Sequence, residues 1–387
     1  MQPKITTSAI RRRDFLRGAI LTGASSVALM AASRGLAFDT KRHFAPVKVA
    51  RNRVIREVVG LRPFRPAGFV VEAQRFGGKL LVHNYGHGGA GVTLSWGTAS
   101  LAVDLARGFL IARKSPTRFA VLGCGVSGLT TALLLQRYYQ NGPGTVTIYA
   151  KDLPPNTTSN VAGAWWSPTS VYEAPETTRR FNEQFRAACR ISNRAFQLLV
   201  GPQYGVSWID TLELMTNEGS LQRELTGGND FYYETEVHRD PDTYFGFPVV
   251  REYKSMLIEP SIYLSALLRD FYIAGGRVVV KEFKSRAELA RLREPVIFNC
   301  TGLGSRALFD DKDLIPVRGQ IEVLLPQPEI DYCYLSSGYM FPRRDGIVLG
   351  GTWDHDDWSL TPNPDQATGI LESHIEIMKG LKPVSTG

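Results

Sequence analysis

The feature that most constrains this chain is a short run, Gly123-Cys124-Gly125-Val126-Ser127-Gly128, between an apolar stretch at 119–122 and an apolar-periodic segment at 127–140. A second apolar stretch follows at 145–150. Strand, tight glycine turn, helix and strand in that order make a β-α-β unit. In the G-x-G-x-x-G spacing each glycine has a task. The first permits the turn, the second lets backbone approach a pyrophosphate, and the third lets helix and strand pack closely. The phosphate then meets free N–H groups at the positive end of the helix dipole. An α/β fold with a Rossmann-like dinucleotide site is therefore expected, with Gly123, Gly125, Val126, Ser127 and Gly128 at the phosphates. An acidic residue closing the second strand usually holds a ribose. Here Lys151 and Asp152 stand one or two positions late, so that contact is shifted or replaced.

A second glycine-rich stretch, LVHNYGHGGAGVTLSWG at 81–97, comes earlier in the chain. It also reads as strand, turn and helix start. Its N–H groups and helix dipole suit an electron-rich group, although glycines serving sterics alone fit the spacing equally. Strands are expected at 68–76 and 79–85, joined by Gly77-Gly78. Four-residue steps of Leu101, Leu105 and Phe109 predict a helix over 98–112, and Pro116 breaks it in a linker at 114–118. Further helices are expected at 176–200, 259–275, 285–292 and 366–379, and strands at 277–283, 295–299, 316–324 and 346–350. Residues 38–58 show no clear period, 202–255 are an aromatic-rich mixture full of turn signals, and 355–365 read as a loop.

The length of 387 residues and 43% hydrophobic content suit two domains. The start of the chain has the pattern of an export signal: Arg11-Arg12-Arg13-Asp14-Phe15-Leu16, an apolar run at 19–32, and Gly35-Leu36-Ala37 as a small-residue cleavage site. That run is shorter than the ~20 residues that span a bilayer. A periplasmic or secreted protein, delivered by the twin-arginine machinery and cut after Ala37, is expected. Residues 1–37 hold six basic residues and one acid, so their removal takes the formal charge from +8 to +3. No basic cluster then argues for nucleic acid. Cys124, Cys189, Cys300 and Cys333 form no CxxC pair, which disfavours zinc, and they leave three disulfide connectivities open. Asp354-His355-Asp356-Asp357 has metal-ligand residue types but reads as a solvated loop, and no metal is expected.

Several segments together resemble the D-amino-acid oxidase family: GLRPFRP (60–66), HNYGHGGAGVTLSWG (83–97), GCGVSGLTTALLLQ (123–136), YAKDLPPNTTSNVAGAWW (149–166), NCTGLGSRAL (299–308), VRGQI (317–321) and YMFPRRDGIVLGGTWD (339–354). In that family the GLRP and HNYGHGG segments end the chain and the GxGxxG strand begins it. Here the order is reversed, as in a circular permutation, with residues 113–118 joining the former ends. The resemblance implies FAD as cofactor. It also implies a discontinuous FAD-binding domain (68–164 and 256–309) and a substrate domain with an antiparallel sheet (38–67, 165–255 and 310–387).

Carried over by motif, the resemblance puts Thr157, Thr158, Ser159, Phe283 and Thr301 beside the cofactor. Val161, Ala162, Gly163 and Ala164 pass the flavin. Gly88, Gly89, Ala90, Gly91, Val92 and Thr93 form the loop around its ring. Arg62 grips the substrate carboxylate, Tyr339 assists it, and the carbonyl of Gly89 accepts from the amine. An arginine between leucine and proline also reads as a surface residue; the GLRP match favours the site. A planar guanidinium suits a carboxylate, two donors meeting two oxygens. The implied chemistry is hydride transfer from Cα to flavin N5, giving a 2-oxo acid and ammonia, with hydrogen peroxide if oxygen rather than another acceptor reoxidises the flavin. The protein orients and no side-chain base is required, so His83 and His87 read as scaffold. Two positions depart from the family: Leu335 stands where a lid tyrosine is frequent, with Tyr334 beside it, and Ser167 replaces a pocket glutamine. Neutral D-amino acids are the expected substrates. The rivals are the same fold acting on acidic D-amino acids, which would need a second cation such as Arg251 or Arg343, or on other amines, and a flavin-binding protein without turnover.

Overall fold

The computed structural model describes residues 44–111, 118–139, 145–163, 165–219, 230–239 and 243–381. The export-signal pattern, most of the 114–118 linker and Ala164 lie outside the described residues. In chain order the elements are β1 (Val54–Phe64), β2 (Val70–Phe76), β3 (Lys79–Tyr85), α1 (Gly91–Ile111), β4 (Phe119–Leu122), α2 (Val126–Tyr139) and β5 (Val146–Ala150). Next come α3 (Arg179–Leu198), β6 (Val206–Met215), β7 (Tyr233–Arg239), β8 (Val249–Ile258), α4 (Pro260–Ile273), β9 (Arg277–Val280), α5 (Arg286–Ala290) and β10 (Val296–Asn299). The chain closes with α6 (Gly304–Phe309), β11 (Ile315–Leu324), β12 (Tyr332–Leu335), β13 (Tyr339–Arg343), β14 (Gly346–Gly350), β15 (Asp354–His355) and α7 (Pro364–Lys379).

Two sheets organise these elements. The first has the order β2-β3-β10-β4-β5-β9. Its members from β3 to β9 run parallel, and β2 is an antiparallel edge. β4 and β10 are buried at every residue, as continuous apolar runs in a covered parallel sheet should be. Helices α1 and α2 pack on the sheet through Leu94, Ala99, Leu129 and Leu135, all fully buried. The second sheet has the order β1-β11-β14-β13-β12-β6-β8-β7, with β15 on β11. It is antiparallel except where β12 meets β6.

The local expectations from periodicity largely match these elements, and the differences have physical causes. Helix α1 starts at Gly91, seven residues before the predicted onset at 98. Residues Thr93 to Ala99 are all buried, so no polar face marks the early turns. The stretch 38–58 without period holds the start of β1, which pairs with β11 from Val54↔Leu324 to Phe64↔Ile315. Among the described residues, the mixture at 202–255 holds three strands, β6, β7 and β8. β6 carries an unbroken buried end, Thr211 to Met215, which hides the two-residue alternation. β12, β13 and α6 are short and were not expected from the sequence. The four cysteines are buried and free, and burial pushes the thiols of Cys124, Cys189 and Cys300 up to about 12.

Candidate active site

Parallel strands deliver their carboxyl ends to one edge, where ligands of open α/β sheets bind. β3 leads into residues 86–91, β4 into Gly123, β5 into Lys151, β9 into Lys281 and β10 into Cys300 and Thr301. These ends open on one cleft of about 2200 Å³. That exceeds the ~300–1,000 Å³ of a drug-sized pocket and has room for a dinucleotide with a substrate beside it. Gly123 has φ +102°, and a Cβ there would stand 2.4 Å from the Cys300 carbonyl oxygen. Only glycine makes this turn. The Val126 N–H at the start of α2 donates to Ser159 Oγ at 3.0 Å, joining two segments that the sequence marks as cofactor-binding. Gly123, Gly125, Val126, Ser127, Thr157, Thr158 and Ser159 line this end of the cleft. The glycine turn at the start of α2 leaves room for backbone to approach a pyrophosphate. Gly128 does not line the cleft; it is packed behind the turn, where a Cβ would stand 2.0 Å from the Gly123 oxygen. Lys151 and Asp152 line the cleft as exposed residues 3.7 Å apart, and Phe283 lines it under Lys281.

The second glycine stretch forms another side of the same cleft through Gly88, Gly89, Gly91, Val92 and Thr93. The Gly89 N–H donates to the Ser170 carbonyl at 2.8 Å, and Thr93 Oγ1 accepts from the Ser167 N–H at 3.2 Å. Ala90 differs from expectation: it is 1% exposed and its methyl packs into the core. His87 contacts Asn84 Oδ1 at 3.1 Å and His83 lies 3.1 Å from Asn299 Nδ2. Burial pushes both imidazoles down to about 4, so they are neutral scaffold near pH 7. Thr301 lines the cleft and donates to Asn299 Oδ1 at 2.7 Å. Val161, Ala162 and Gly163 line it from a third side.

Arg62 and Tyr339 reach the cleft from the antiparallel sheet. The Arg62 guanidinium lies across Gly319 of β11, where a Cβ would stand 2.2 Å from Nη1. It donates to the Thr352 carbonyl at 3.3 Å and lies 5.0 Å from the Trp353 ring. Among the described residues no carboxylate pairs with it. Tyr339 stacks on Phe341 at 4.7 Å and lies over Gly350, which pairs with Ile321. Gly319 and Gly350 are thus diagonal neighbours, ~7–8 Å apart, and the two side chains share one face. A half-buried guanidinium without a carboxylate partner among the described residues, on one face with a phenol, has the donors that a carboxylate ligand would need.

The loop that carries Thr352 and Trp353 is fastened from the other face of β11. Arg318 is 2% exposed. It donates to Asp354 Oδ2 at 3.2 Å, Gln366 Oε1 at 2.5 Å and the Thr361 carbonyl at 2.8 Å. Asp354 is therefore tied into a hydrogen-bond network, and among the described residues no group of acidic, histidine or cysteine side chains could hold a metal ion.

Sequence reasoning left the substrate side less defined. Leu335 and Ser167 line the cleft. Tyr334 does not stand in for a lid tyrosine, because it is fully buried and its hydroxyl meets His374 Nδ1. Neither suggested second cation faces the cleft. Arg251 is fully buried against Glu213 at 2.5 Å. Arg343 is held by Asp345 and the Ala162 carbonyl. Glu213, Thr352 and Trp353 line the cleft without having been singled out. For Trp353 a signal existed, its place in the YMFPRRDGIVLGGTWD motif; Glu213 had none.

A family profile described as "FAD dependent oxidoreductase" matches residues 118–387. A D-amino acid oxidase of Dugesia ryukyuensis is 30% identical over 274 residues, 68% of this chain and 78% of that protein. A D-aspartate oxidase of Homo sapiens is 28% identical over 260 residues, 66% and 74% of the two chains. Among solved structures, glycine oxidase from Geobacillus kaustophilus superimposes with a TM-score of 0.53 at 15% identity, covering 70% of this chain and 80% of that one. At that identity the likeness speaks for the fold alone.

Proposed function

This chain belongs to the FAD dependent oxidoreductase family, and from that premise we propose that it oxidatively deaminates D-amino acids with neutral rather than acidic side chains. The observation that carries the reading is Arg62: a cation without a carboxylate partner among the described residues, in the FAD cleft, on one face with Tyr339. Bound FAD would supply the hydride acceptor for the substrate Cα–H. The residues of this chain bind and orient. The turn at Gly123 and the start of α2 would hold the pyrophosphate. Gly88, Gly89, Gly91, Val92 and Thr93 would border the flavin, where the start of α1 favours negative charge. Arg62 takes the substrate carboxylate, Tyr339 donates to it, and the Gly89 carbonyl accepts from the amine. No side chain needs to remove a proton from Cα. The imino acid hydrolyses to a 2-oxo acid and ammonia, and oxygen or another acceptor takes the electrons. The D-amino acid and D-aspartate oxidase relatives support the substrate class. The locked state of Arg251 and Arg343 favours neutral over acidic side chains.

The chain order reads as a circular permutation. The family profile begins at residue 118, yet β1 completes one sheet and β2, β3 and α1 complete the other. The two ends of the described chain adjoin, since the Val47 N–H donates to Met378 Sδ at 3.2 Å. Neighbouring termini are what a rewired chain needs. The FAD-binding domain (68–164 and 256–309) and the substrate domain are accordingly discontinuous. The arginine-rich start is read as a twin-arginine signal that exports the folded holoprotein to the periplasm or beyond.

The test is bleaching of the flavin absorbance when purified protein meets D- and L-amino acids without oxygen. Bleaching by neutral D-amino acids is expected. None with any amino acid would leave a flavin protein without turnover, and bleaching by D-aspartate alone would favour the acidic substrate. Arg62→Ala should keep the yellow cofactor and lose bleaching. A gene reordered to begin at residue 118, with residues 381 and 44 bridged, should yield the same holoprotein; failure to bind FAD would count against the permutation.

A further inference from the structure

Strand register places a buried charge pair in line with the substrate anchor. Tyr339 pairs with Leu335, Leu335 with Glu213, and Glu213 with Arg251. Paired residues of neighbouring strands point to the same face, so these four side chains form one row across β13, β12, β6 and β8. Tyr339, Leu335 and Glu213 line the cleft, and Arg251 does not. Two strand spacings separate Tyr339 from Glu213, about 10 Å.

Glu213 is 8% exposed. Its Oε2 accepts from Arg251 Nε at 2.8 Å and its Oε1 from the Tyr253 hydroxyl at 2.7 Å. The Arg251 guanidinium lies behind it, 5.4 Å from the Tyr232 ring and 5.1 Å from the Tyr253 ring. Burying two charges costs several kcal/mol, and apolar residues of like volume often serve stability as well. The hydride chemistry uses neither residue. What the pair does is set the sign of one wall: Glu213 lines the cleft and Arg251 does not. Arg251 fixes the Glu213 carboxylate in place through charge-assisted bonds.

We propose that Glu213 is the specificity-determining residue at the far end of the substrate pocket, accepting a cationic side-chain terminus, ammonium or guanidinium, and rejecting an anionic one. This rests on the D-amino acid reading above and extends it from neutral side chains to long cationic ones. With the α-carboxylate at Arg62 and Tyr339, a lysine- or arginine-length side chain runs over Leu335 to Glu213. A carboxylate shared between two cations is an arrangement that buried triads use. An anionic side chain would point toward like charge there, and a short one such as aspartate would gain no partner.

The test compares kcat/KM of the holoenzyme for D-lysine with that for D-norleucine, which matches its carbon chain without the charge, and adds D-aspartate. Wild type is expected to favour D-lysine by about tenfold or more, as a hydrogen bond between charged groups implies, and to turn over D-aspartate poorly. Glu213→Gln should collapse the D-lysine to D-norleucine ratio toward unity. The double variant Glu213→Gln with Arg251→Gln should do the same without leaving a buried guanidinium uncompensated. The wild-type ratio needs no variant to fold. A wild-type preference for D-norleucine or D-aspartate, or a ratio that survives in a flavin-loaded variant, overturns the inference while D-amino acid oxidation stands. No oxidation of any D-amino acid overturns the underlying reading and this inference with it.

Discussion

The cleft has two walls built on different principles. On the cofactor side, several contributing residues follow a strand of the parallel sheet within a few positions: Gly123 after β4, Lys151 after β5, Thr301 after β10. On the substrate side, residues 62, 213, 335 and 339 reach one cleft only because β1, β11, β14, β13, β12 and β6 are laid in that order and register, with Trp353 on the loop after β14. The first wall is made of backbone donors at strand ends and is indifferent to most side chains. The second is made of side chains and is sensitive to each. The cofactor side should therefore break when backbone geometry is disturbed, and the substrate side when single functional groups are removed.

The largest effect is expected at Gly123. A valine there would combine a left-handed φ with overlap against the Cys300 carbonyl, costing ~2–6 kcal/mol from strain and overpacking together. Purified Gly123→Val should lose FAD, read as the ratio of flavin to protein absorbance. Retention of a full complement would mean that the turn is not the phosphate site. Next comes Arg62→Ala, with kcat/KM reduced by ~2–5 kcal/mol, the cost of leaving a buried carboxylate without its partner, and FAD content unchanged. If both variants lost cofactor equally, the separation of the two walls would fail.

Acid should strain both walls, because His83 and His87 lie under the cofactor loop and His374 behind Tyr334. Burial pushes all three down to about 4, below the unfolded value of ~6.5. Between those values the unfolded chain binds more protons, so stability is fully present above pH 6.5 and is lost as pH falls toward 4. From pH 7 to pH 5 the loss is ~1–2 kcal/mol per histidine, measurable by urea unfolding at each pH. A flat profile would mean that these imidazoles are open to solvent. The smallest effect is expected for Tyr339→Phe, whose ring stays stacked on Phe341 while one hydrogen bond goes. A loss of ~0.5–1.5 kcal/mol in kcat/KM follows, and a larger one would give the hydroxyl more than a supporting part.

The legibility of each wall follows from how it is built. Gly123 and Gly125 were readable because a phosphate turn needs fixed residue types at fixed spacing within one β-α unit. The GLRP and HNYGHGG segments were readable only through resemblance, since an arginine between leucine and proline has no periodicity to mark it. Gly128 and Ala90 fell inside motifs yet face the protein, because in a tight turn neighbouring residues point in opposite directions. Glu213 lies in VSWIDTLELM, where buried residues on both faces mask the strand and nothing distinguishes this glutamate from the surface ones.

By itself the sequence determined the dinucleotide turn, the β-α-β unit around it and the existence of a second glycine loop, because these depend on contacts between residues close in the chain. Only the tertiary structure decided that both loops open on one cleft, that Arg62 has no carboxylate partner among the described residues, and that Arg251 is buried against Glu213 and does not line that cleft. Those facts depend on which strands pair and in what register. A shift of one residue reverses every side chain, and composition carries no record of that choice.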